Sequence, residues 1–408
     1  MARFFAALPL LAVLAACNMN PTGADPAATP GAKTDSPSAS TPAIAGTDAM
    51  AATDPAPGAS PGLAAADDKP RPTMQLQVVL DRLGFTPGVV DGREGSSTRN
   101  AIAGFQEANG LKVSGTLDDA TKAKLAAWQA IPATRLVTIP ADFAAGLFLA
   151  TPARAADQAK LPRLGYASLD EKLAERFHTT IAVLRELNRA PLPDGRASGQ
   201  AVNEVVPAFT ETAPPPASAA GVPKPAPATY FRAGQQIRVP NVGADRIEPG
   251  SVDDAAWATT LATLGVGTAQ PKVARVVVSK SKGTLKGYDE GGKLVAMYTA
   301  TMGSRRDPLP LGEWKILGIA RNPPFHYNPE LFWDVPDSTE KQLLPPGPNG
   351  PVGVVWIDLS KEHYGIHGTP EPETIGRAQS HGCVRLTNWD VARLSQMVST
   401  RTQVLFEA

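Results

Sequence analysis

The chain has 408 residues, and its 39 basic and 39 acidic side chains give a formal net charge of zero. This balance gives no reason to expect nucleic acid or an anionic membrane surface as a partner. Only two cysteines occur, and because Cys17 lies in a leader segment, Cys383 has no obvious disulfide partner.

The chain begins with one basic residue, Arg3, followed by an apolar run at residues 6–16. Such a run is too short to span a bilayer as a permanent helix and is typical of a signal segment. It ends in Leu-Ala-Ala before Cys17, which resembles the bacterial lipoprotein signal. The resemblance implies that residues 1–16 are removed and that Cys17 is lipidated. A plain secretory signal with an incidental cysteine is the alternative.

Asn18 follows this cysteine, whereas an Asp at that position favours retention in the inner membrane of Gram-negative bacteria. The resemblance therefore implies a periplasmic chain that its lipid anchors to the outer membrane. Both interpretations place the mature chain outside the cytoplasm, where disulfides form. An unpaired thiol at Cys383 needs a reason in such a compartment, and catalysis is one.

Residues 17–72 consist mainly of Ala, Pro, Thr, Ser, Gly and Asp. Such a segment cannot bury enough apolar surface to offset the entropy lost on ordering. We therefore predict a disordered tether between the lipid and the folded part of the chain. The rest of the chain is long enough for two or three domains.

Residues 73–130 predict a small module of three helices. Apolar side chains repeat at helical spacing in three stretches, separated by turn residues such as Asp91-Gly92 and Asn109-Gly110. We expect the second helix to start at Ser96 or Ser97.

The same module resembles the three-helix peptidoglycan-binding domain, on the strings Leu83-Gly84-Phe85, Asp91-Gly92, Phe105-Gln106 and Asn109-Gly110-Leu111. The resemblance implies affinity for the glycan or the peptide of the cell wall. A three-helix bundle without a ligand is the alternative, and nothing in the sequence marks the residues that would touch a ligand.

Residues 131–272 predict two short helices and one strand. One apolar face runs along residues 169–187 and is interrupted near His178, and Asn188 ends the second helix. A Pro- and Ala-rich stretch at residues 191–229 precedes a strand at 236–240. Helix, helix, Asn and Gly-Gln-x-Ile-x-Val-Pro resemble the LysM glycan-binding module, although a long insertion separates the helices from the strand and the first strand is weak. The alternative is a degenerate helical hairpin that only packs on its neighbours.

Residues 273–408 change to β-rich runs separated by glycine and charged turns, and Asp289-Glu290-Gly291-Gly292 is a hairpin signal. One helix follows from about Asn388. We predict a mainly antiparallel β domain closed on itself, a β-sandwich or barrel. The whole chain is thus predicted to be multidomain, with a small three-helix α module, a LysM-like α+β segment and this β domain.

The segment Ser380-His381-Gly382-Cys383-Val384-Arg385 contains the strongest chemical signal. A thiol needs a base or a positive neighbour to become the nucleophilic thiolate, and His381 and His367 are both near in sequence. A buried structural cysteine is the alternative. Gly382 argues against that alternative, because glycine before the thiol allows a tight turn and close approach of a substrate.

The strings His367-Gly368-Thr369 and Ser380-His381-Gly382-Cys383-Val384-Arg385, with Pro308–Trp314 and residues 345–353, resemble an L,D-transpeptidase of the YkuD type. The resemblance implies that Cys383 attacks the third residue of a peptidoglycan stem at its L-centre and expels D-Ala. His367 would be the base and the Gly368 carbonyl would orient it. Backbone N–H groups of His381, Gly382 and Cys383 would form the oxyanion hole.

The sequence leaves His381 open as the base, although the upstream His367 is the better candidate in the family and His381 then has a positioning or oxyanion role. Arg385 would bind a substrate carboxylate or lower the thiol pKa, with a salt bridge as the alternative. Ser380 is expected to support the loop beside the substrate, and Asn388 to line the groove.

No cofactor is expected, because neither a phosphate loop nor a dinucleotide fingerprint occurs, and a zinc site lacks the required ligand number and spacing. The expected partners are stem peptides and glycan, with a stem amine or a protein lysine as acceptor. Water as acceptor would give an L,D-carboxypeptidase or endopeptidase instead. A wall-anchoring lipoprotein without turnover is the remaining alternative.

Overall fold

The computed structural model describes residues 69–189, 229–243, 245–331 and 340–408, all within one compact unit of the chain. The predicted signal segment, the lipidation site at Cys17 and nearly all of the predicted tether lie outside the described residues. So does nearly all of the Pro- and Ala-rich insertion. None of the helices in the described part of the chain is long and apolar enough to cross a membrane.

The helical module contains three helices and a two-residue strand, in the order α1 (Pro72–Arg82), β1 (Phe85–Thr86), α2 (Ser96–Ala108) and α3 (Asp119–Leu125). Asp118 caps α3 by accepting the backbone N–H of Thr121 at 2.9 Å. Phe105 packs edge-on against Phe85 and Trp128, with both pairs of ring centroids 6.1 Å apart. The predicted three-helix fold is confirmed, and α2 starts at Ser96, one of the two predicted positions.

The middle segment has the order β2 (Thr134–Thr138), α4 (Ala141–Ala144), α5 (Ala155–Gln158), α6 (Leu169–Arg176), α7 (Ile181–Leu187) and β3 (Gln236–Pro240). Strands β2 and β3 pair antiparallel, and α6 and α7 share their apolar core. Asn188 joins helix to strand, because its amide donates to the carbonyls of Leu184 and Arg238 and accepts the Arg238 N–H. The two helices and the last strand lie where the sequence predicts them, and the assignment to LysM stays a prediction.

The β domain follows, and its elements are α8 (Ala255–Leu264), β4 (Arg275–Ser279), β5 (Thr284–Tyr288), β6 (Leu294–Thr299), β7 (Thr301–Met302), β8 (Gly312–Arg321), β9 (Phe325–Tyr327), β10 (Gln342–Leu344), β11 (Val355–Leu359), β12 (Gly365–His367), β13 (Val384–Arg385), α9 (Asn388–Met397) and β14 (Gln403–Glu407). Ten strands form one sheet in the order β1-β6-β5-β4-β14-β8-β11-β12-β13-β7. Most pairs are antiparallel, as predicted.

This sheet curls back on itself through two strands. The first half of β8 pairs with β14 and its second half with β11, so β8 belongs to both halves of the sheet. Strands β6 and β7 are separated only by Ala300, yet β6 lies near one end of the strand order and β7 at the other. The two halves therefore enclose a core of aliphatic side chains and Trp389, against which α8 and α9 pack.

The helical module is built into the β domain. Strand β1 pairs in parallel with β6, and Leu294 and Met297 of β6 lie in the same apolar cluster as Phe85 and Phe105. A buried cluster of charged groups lies where the three parts of the chain meet. Within it, Asp81 of α1 accepts from Arg393 of α9 at 2.8 Å and contacts His178 Nδ1 at 3.1 Å.

Candidate active site

Strand register places four side chains in one row across the sheet. Trp356 of β11 lies opposite His367 of β12, His367 lies opposite Arg385 of β13, and Arg385 lies opposite Thr301 of β7. Opposite residues on neighbouring strands point to the same face. Cys383 lies in the bend directly before β13, two residues before Arg385.

His367 is held by a hydrogen bond at one ring nitrogen and by stacking on the face of the ring. Its Nδ1 lies 2.7 Å from the carbonyl oxygen of Gly368, and the ring stacks on Trp356 at 5.5 Å. Because a carbonyl can only accept, Nδ1 carries the proton, and Nε2 keeps its lone pair for an incoming proton. Burial and the charge of Arg385 lower the His367 pKa to about 3, although the Gly368 bond opposes this shift. The imidazole is therefore neutral at physiological pH.

Cys383 is half-buried, and its Sγ lies 3.7 Å from the carbonyl oxygen of His363. Burial raises the pKa of this thiol, while a backbone hydrogen bond from Gly365 and the charge of Arg385 partly offset the increase. The shifts of thiol and imidazole have opposite signs, and both favour the uncharged form. The resting site thus holds a neutral thiol and a neutral base instead of an ion pair.

The turn before the cysteine is organised by Ser380, which is 4% exposed. Its hydroxyl donates to the Cys383 carbonyl at 2.7 Å and accepts the N–H groups of Gly303 at 2.7 Å and Gly382 at 3.3 Å. The geometry thus assigns Ser380 to the loop. Gly382 has φ +110°, and a Cβ there would lie 2.6 Å from the ring of Tyr364. Only glycine fits this position without strain.

The oxyanion hole was expected from the N–H groups of His381, Gly382 and Cys383, and one of these groups already has a hydrogen-bond acceptor. The Gly382 N–H already donates to Ser380. It would need to leave this bond to serve a tetrahedral intermediate. His381 lies in the same turn and is half-buried.

Arg385 is partly buried, and its Nε makes no hydrogen bond within the described part of the chain. No salt bridge to Arg385 occurs among these residues either, which does not support the alternative role predicted for it. Its positive charge lowers the pKa of both His367 and Cys383 by electrostatic interaction. This leaves a guanidinium beside the thiol with capacity for a carboxylate.

Asn388 lies elsewhere than expected. It is fully buried at the start of α9, and its amide donates to Glu175 at 2.9 Å and to the Pro348 carbonyl at 3.1 Å. Its Oδ1 accepts the Val354 N–H at 3.3 Å. A side chain without exposed surface does not agree with the predicted contact to substrate, so Asn388 is a structural residue of the site.

Three further residues shape the site and were not predicted from the sequence: Tyr364, Trp356 and Glu175. Tyr364 faces the turn at Gly382, and burial together with Cys383 raises its pKa. Gly365 leaves room for Trp356, because a Cβ there would lie 2.6 Å from the indole. No local sequence pattern reveals Tyr364 or Glu175 as neighbours of the site.

Within the described residues, no group of three or more His, Cys, Asp or Glu side chains is arranged to hold a metal ion. A cavity of about 450 Å³ lies between the middle segment and the β domain. It is lined by Glu171 from α6 and by Pro370 and Glu371, which follow the His367 strand by a few residues.

Comparison with protein families finds a match for two parts of the chain. Residues 273–405 match the L,D-transpeptidase catalytic domain of the YkuD family, and residues 72–125 match a domain described as "Putative peptidoglycan binding domain". The chain therefore carries a YkuD-type L,D-transpeptidase catalytic domain and an N-terminal peptidoglycan-binding domain, as their resemblances implied.

Three known proteins are similar to part of the chain. The chain is 53% identical over 112 residues to "Putative L,D-transpeptidase YkuD" of Bacillus subtilis, covering 28% of this chain and 53% of that one. It is 35% identical over 130 residues to the protein of the same name from Bacillus licheniformis, covering 32% and 63%. A crystal structure of L,D-transpeptidase 3 from Mycobacterium tuberculosis is 20% identical, with a TM-score of 0.28 over 34% of this chain and 61% of that one. The match thus spans less than two thirds of each relative.

Proposed function

We propose that this protein, which carries the catalytic domain of the L,D-transpeptidases, acts on peptidoglycan through a thioester at Cys383. The substrate would be a tetrapeptide stem, attacked at the L-centre of its third residue. The observation that carries the proposal is that His367, oriented by Gly368, lies opposite Arg385, whose charge acts on both His367 and Cys383. These residues supply a nucleophile, a base whose second ring nitrogen can accept a proton, and a cation without an ion-pair partner among the described residues.

The chemistry follows from the neutral resting pair. Cys383 Sγ attacks the stem carbonyl while its proton moves to His367 Nε2, and the imidazolium returns this proton to the amine of the departing D-Ala. An acceptor amine then attacks the thioester carbonyl and loses its proton, which restores the thiol. Arg385 is suited to hold a carboxylate of the stem. The acceptor would be a second stem amine or a protein lysine.

Intact-protein mass spectrometry after incubation with a carbapenem tests the nucleophile. A β-lactam acylates by ring opening, so the expected adduct has the mass of the whole inhibitor. We expect no adduct in Cys383→Ala, and a rate at least about 100-fold slower in His367→Ala, as for loss of a general base. His326→Ala, at an exposed histidine on β9, is the matched control and keeps the normal rate.

An absence of adduct in folded protein that still binds purified cell wall would favour the alternative of a wall anchor without turnover. Where an adduct forms, the products from isolated tetrapeptide stems separate the remaining candidates. A dimeric product with loss of D-Ala indicates transfer, and a monomeric tripeptide indicates hydrolysis.

We further propose that the chain is a periplasmic lipoprotein, tethered through Cys17 to the outer membrane, with the peptidoglycan-binding domain raising the concentration of the active site at the wall. The leader motif supports this proposal. Labelling with a radioactive fatty acid tests it: label should enter the normal chain and not Cys17→Ser. Labelling of the variant, or none in the normal chain, would contradict it.

A further inference from the structure

Glu175 links the middle segment to the centre of the catalytic domain. It lies near the end of α6, is 4% exposed, and its Oε1 accepts the Asn388 side-chain amide at 2.9 Å. Its Oε2 shares a hydrogen bond with the hydroxyl of Tyr166, another residue of the middle segment, at 2.9 Å. Each carboxyl oxygen thus has one fixed partner, and the side chain bridges two parts of the chain.

Asn388 carries this contact to the backbone beside the catalytic base. A Cβ at Gly368 or at Gly353 would collide with Asn388 Oδ1, so this oxygen lies directly against both backbone segments. The same oxygen accepts the Val354 N–H. Gly368 is in turn fixed by its own N–H, which donates to the Val352 carbonyl at 3.0 Å. Asn388 therefore sets the position of the peptide whose carbonyl orients His367.

The orientation of the Asn388 amide depends on Glu175. Its nitrogen donates to Glu175 and to the Pro348 carbonyl, and both are acceptors. Without Glu175, one N–H of a fully buried amide has no partner, which typically costs about 1–3 kcal/mol. The amide would relieve this cost by turning or shifting, and Gly353 and Gly368 leave it no space to do so without moving their backbone.

We propose that Glu175 of the middle segment is a positioning residue for the catalytic histidine, acting through Asn388 and the Gly368 carbonyl. The inference rests on the proposed function of His367 as the base. Burial raises the pKa of Glu175 to about 8, so the carboxyl is mostly protonated at physiological pH. Its O–H then donates to the Tyr166 oxygen, while Oε1 still accepts from Asn388. The middle segment is then part of the catalytic apparatus, in addition to any role in wall binding.

The test uses the full chain labelled with ¹⁵N-histidine and compares Glu175→Met, which removes both hydrogen bonds, with Glu175→Gln, which keeps the shape and polarity. We expect the ¹⁵N spectrum of wild type to show His367 as one tautomer with the proton on Nδ1. Glu175→Met should give a mixed or exchanging signal, and Glu175→Gln should restore the single tautomer. Acylation of Cys383 by a carbapenem should slow about tenfold in Glu175→Met and less than about threefold in Glu175→Gln.

Glu171→Met is the matched control. Glu171 lies one turn earlier on the same helix and also faces the β domain, but it hydrogen-bonds the Ala167 N–H and has no bond to Asn388. It should leave the His367 signal unchanged at a similar loss of thermal stability. An unchanged His367 tautomer in folded Glu175→Met overturns the proposal.

If Glu175→Met does not fold, Tyr166→Phe takes its place, because it removes one of the two bonds that fix the Glu175 carboxyl. An unchanged tautomer in that variant overturns the proposal as well, and a shifted one supports it. The histidine signal does not require turnover. Failure of the proposed function would appear as absent acylation in wild type, which is a different result.

Discussion

At the active-site residues, burial and the charge of Arg385 act in opposite directions on the thiol but in the same direction on the histidine. Burial raises the Cys383 pKa and Arg385 lowers it, whereas both lower the pKa of His367. A thiolate–imidazolium pair would need the reverse order of the two pKa values. Proton transfer is therefore expected to accompany attack on the substrate carbonyl instead of preceding it.

The pH dependence of thiol alkylation tests this conclusion. With iodoacetamide, the rate at Cys383 should keep rising through pH 9, because the thiolate is the reactive form and the thiol pKa is raised. Arg385→Met should shift the profile to still higher pH, since it removes a charge that lowers this pKa. Arg377→Met, at an exposed arginine on the preceding loop, should leave the profile unchanged. A rate plateau between pH 5 and 7 would show a preformed ion pair and contradict the assignment.

Gly382 gives a second prediction at this scale. Gly382→Ala forces a Cβ toward the Tyr364 ring at a φ of +110°, which side chains rarely adopt, and such strain costs about 1–3 kcal/mol. The turn should relax by rotating the Cys383 backbone, so acylation should slow by at least about tenfold. Gly318→Ala in β8, where a Cβ meets open space, should acylate at the normal rate. Equal rates in the two variants would show that the turn geometry does not matter.

Local motifs predict the site residues that lie close together in sequence, but they do not predict site residues whose partners lie far along the chain. The segment around Cys383 and the preceding His367-Gly368 pair could be singled out because each is a short string with its own chemistry. Asn388 was placed in a substrate groove because nothing nearby shows its partner. That partner, Glu175, is 213 residues away, and only the folded chain brings the two together.

At the scale of elements, the contact between helices α1 and α9 depends on charged groups that are buried together. Asp81 accepts from both terminal nitrogens of Arg393 and lies 3.1 Å from His178 Nδ1, and each of these residues is at most 3% exposed. His178 in turn stacks on Trp389 at 5.0 Å. One carboxylate thus fixes a helix from each of two domains and the turn between α6 and α7.

Asp81→Ala should therefore lower the free energy of unfolding by about 3–5 kcal/mol, because it removes the closer of the two carboxyl groups beside the buried Arg393 charge. Urea unfolding followed by tryptophan fluorescence measures the loss. Glu330→Ala, which removes one partner of an exposed pair with Lys341, should leave the unfolding midpoint unchanged. A similar small effect for Asp81→Ala would show that Arg393 finds another partner or water.

The elements were predictable where their signals are local, as for the apolar faces of α6 and α7. Strand β1 was not predicted, because two residues carry no periodicity and Phe85–Thr86 is a strand only through its pairing with β6. Strand β2 gave a weak signal because most of its side chains are only partly buried and show no clear alternation. Both strands are defined by partners that lie far along the chain.

At the scale of the whole molecule, the three parts of the chain share buried carboxyl groups, and these couple folding to pH. Burial raises the Glu175 pKa to about 8 and the Asp390 pKa to about 7, while burial lowers the pKa of His367 and His178. An acid with a raised folded pKa binds more protons in the folded state. Its contribution to stability is therefore lost as pH rises from the unfolded pKa to the folded one.

Between pH 6.5 and 8 folded Asp390 loses its proton, while the two histidines lose their remaining protons in the unfolded chain. These two effects on stability have opposite signs and largely offset each other, so Glu175 dominates the net change. The free energy of unfolding should fall by about 2 kcal/mol across this interval, since one pKa unit corresponds to about 1.4 kcal/mol. Glu175→Gln cannot ionise and keeps the hydrogen-bonding shape, so its stability should stay nearly constant over the same interval. Urea midpoints at pH 6.5, 7.2 and 8.0 for both proteins give the comparison. A parallel decrease in both would assign the pH dependence to another group and would mean that Glu175 is already ionised in the folded protein.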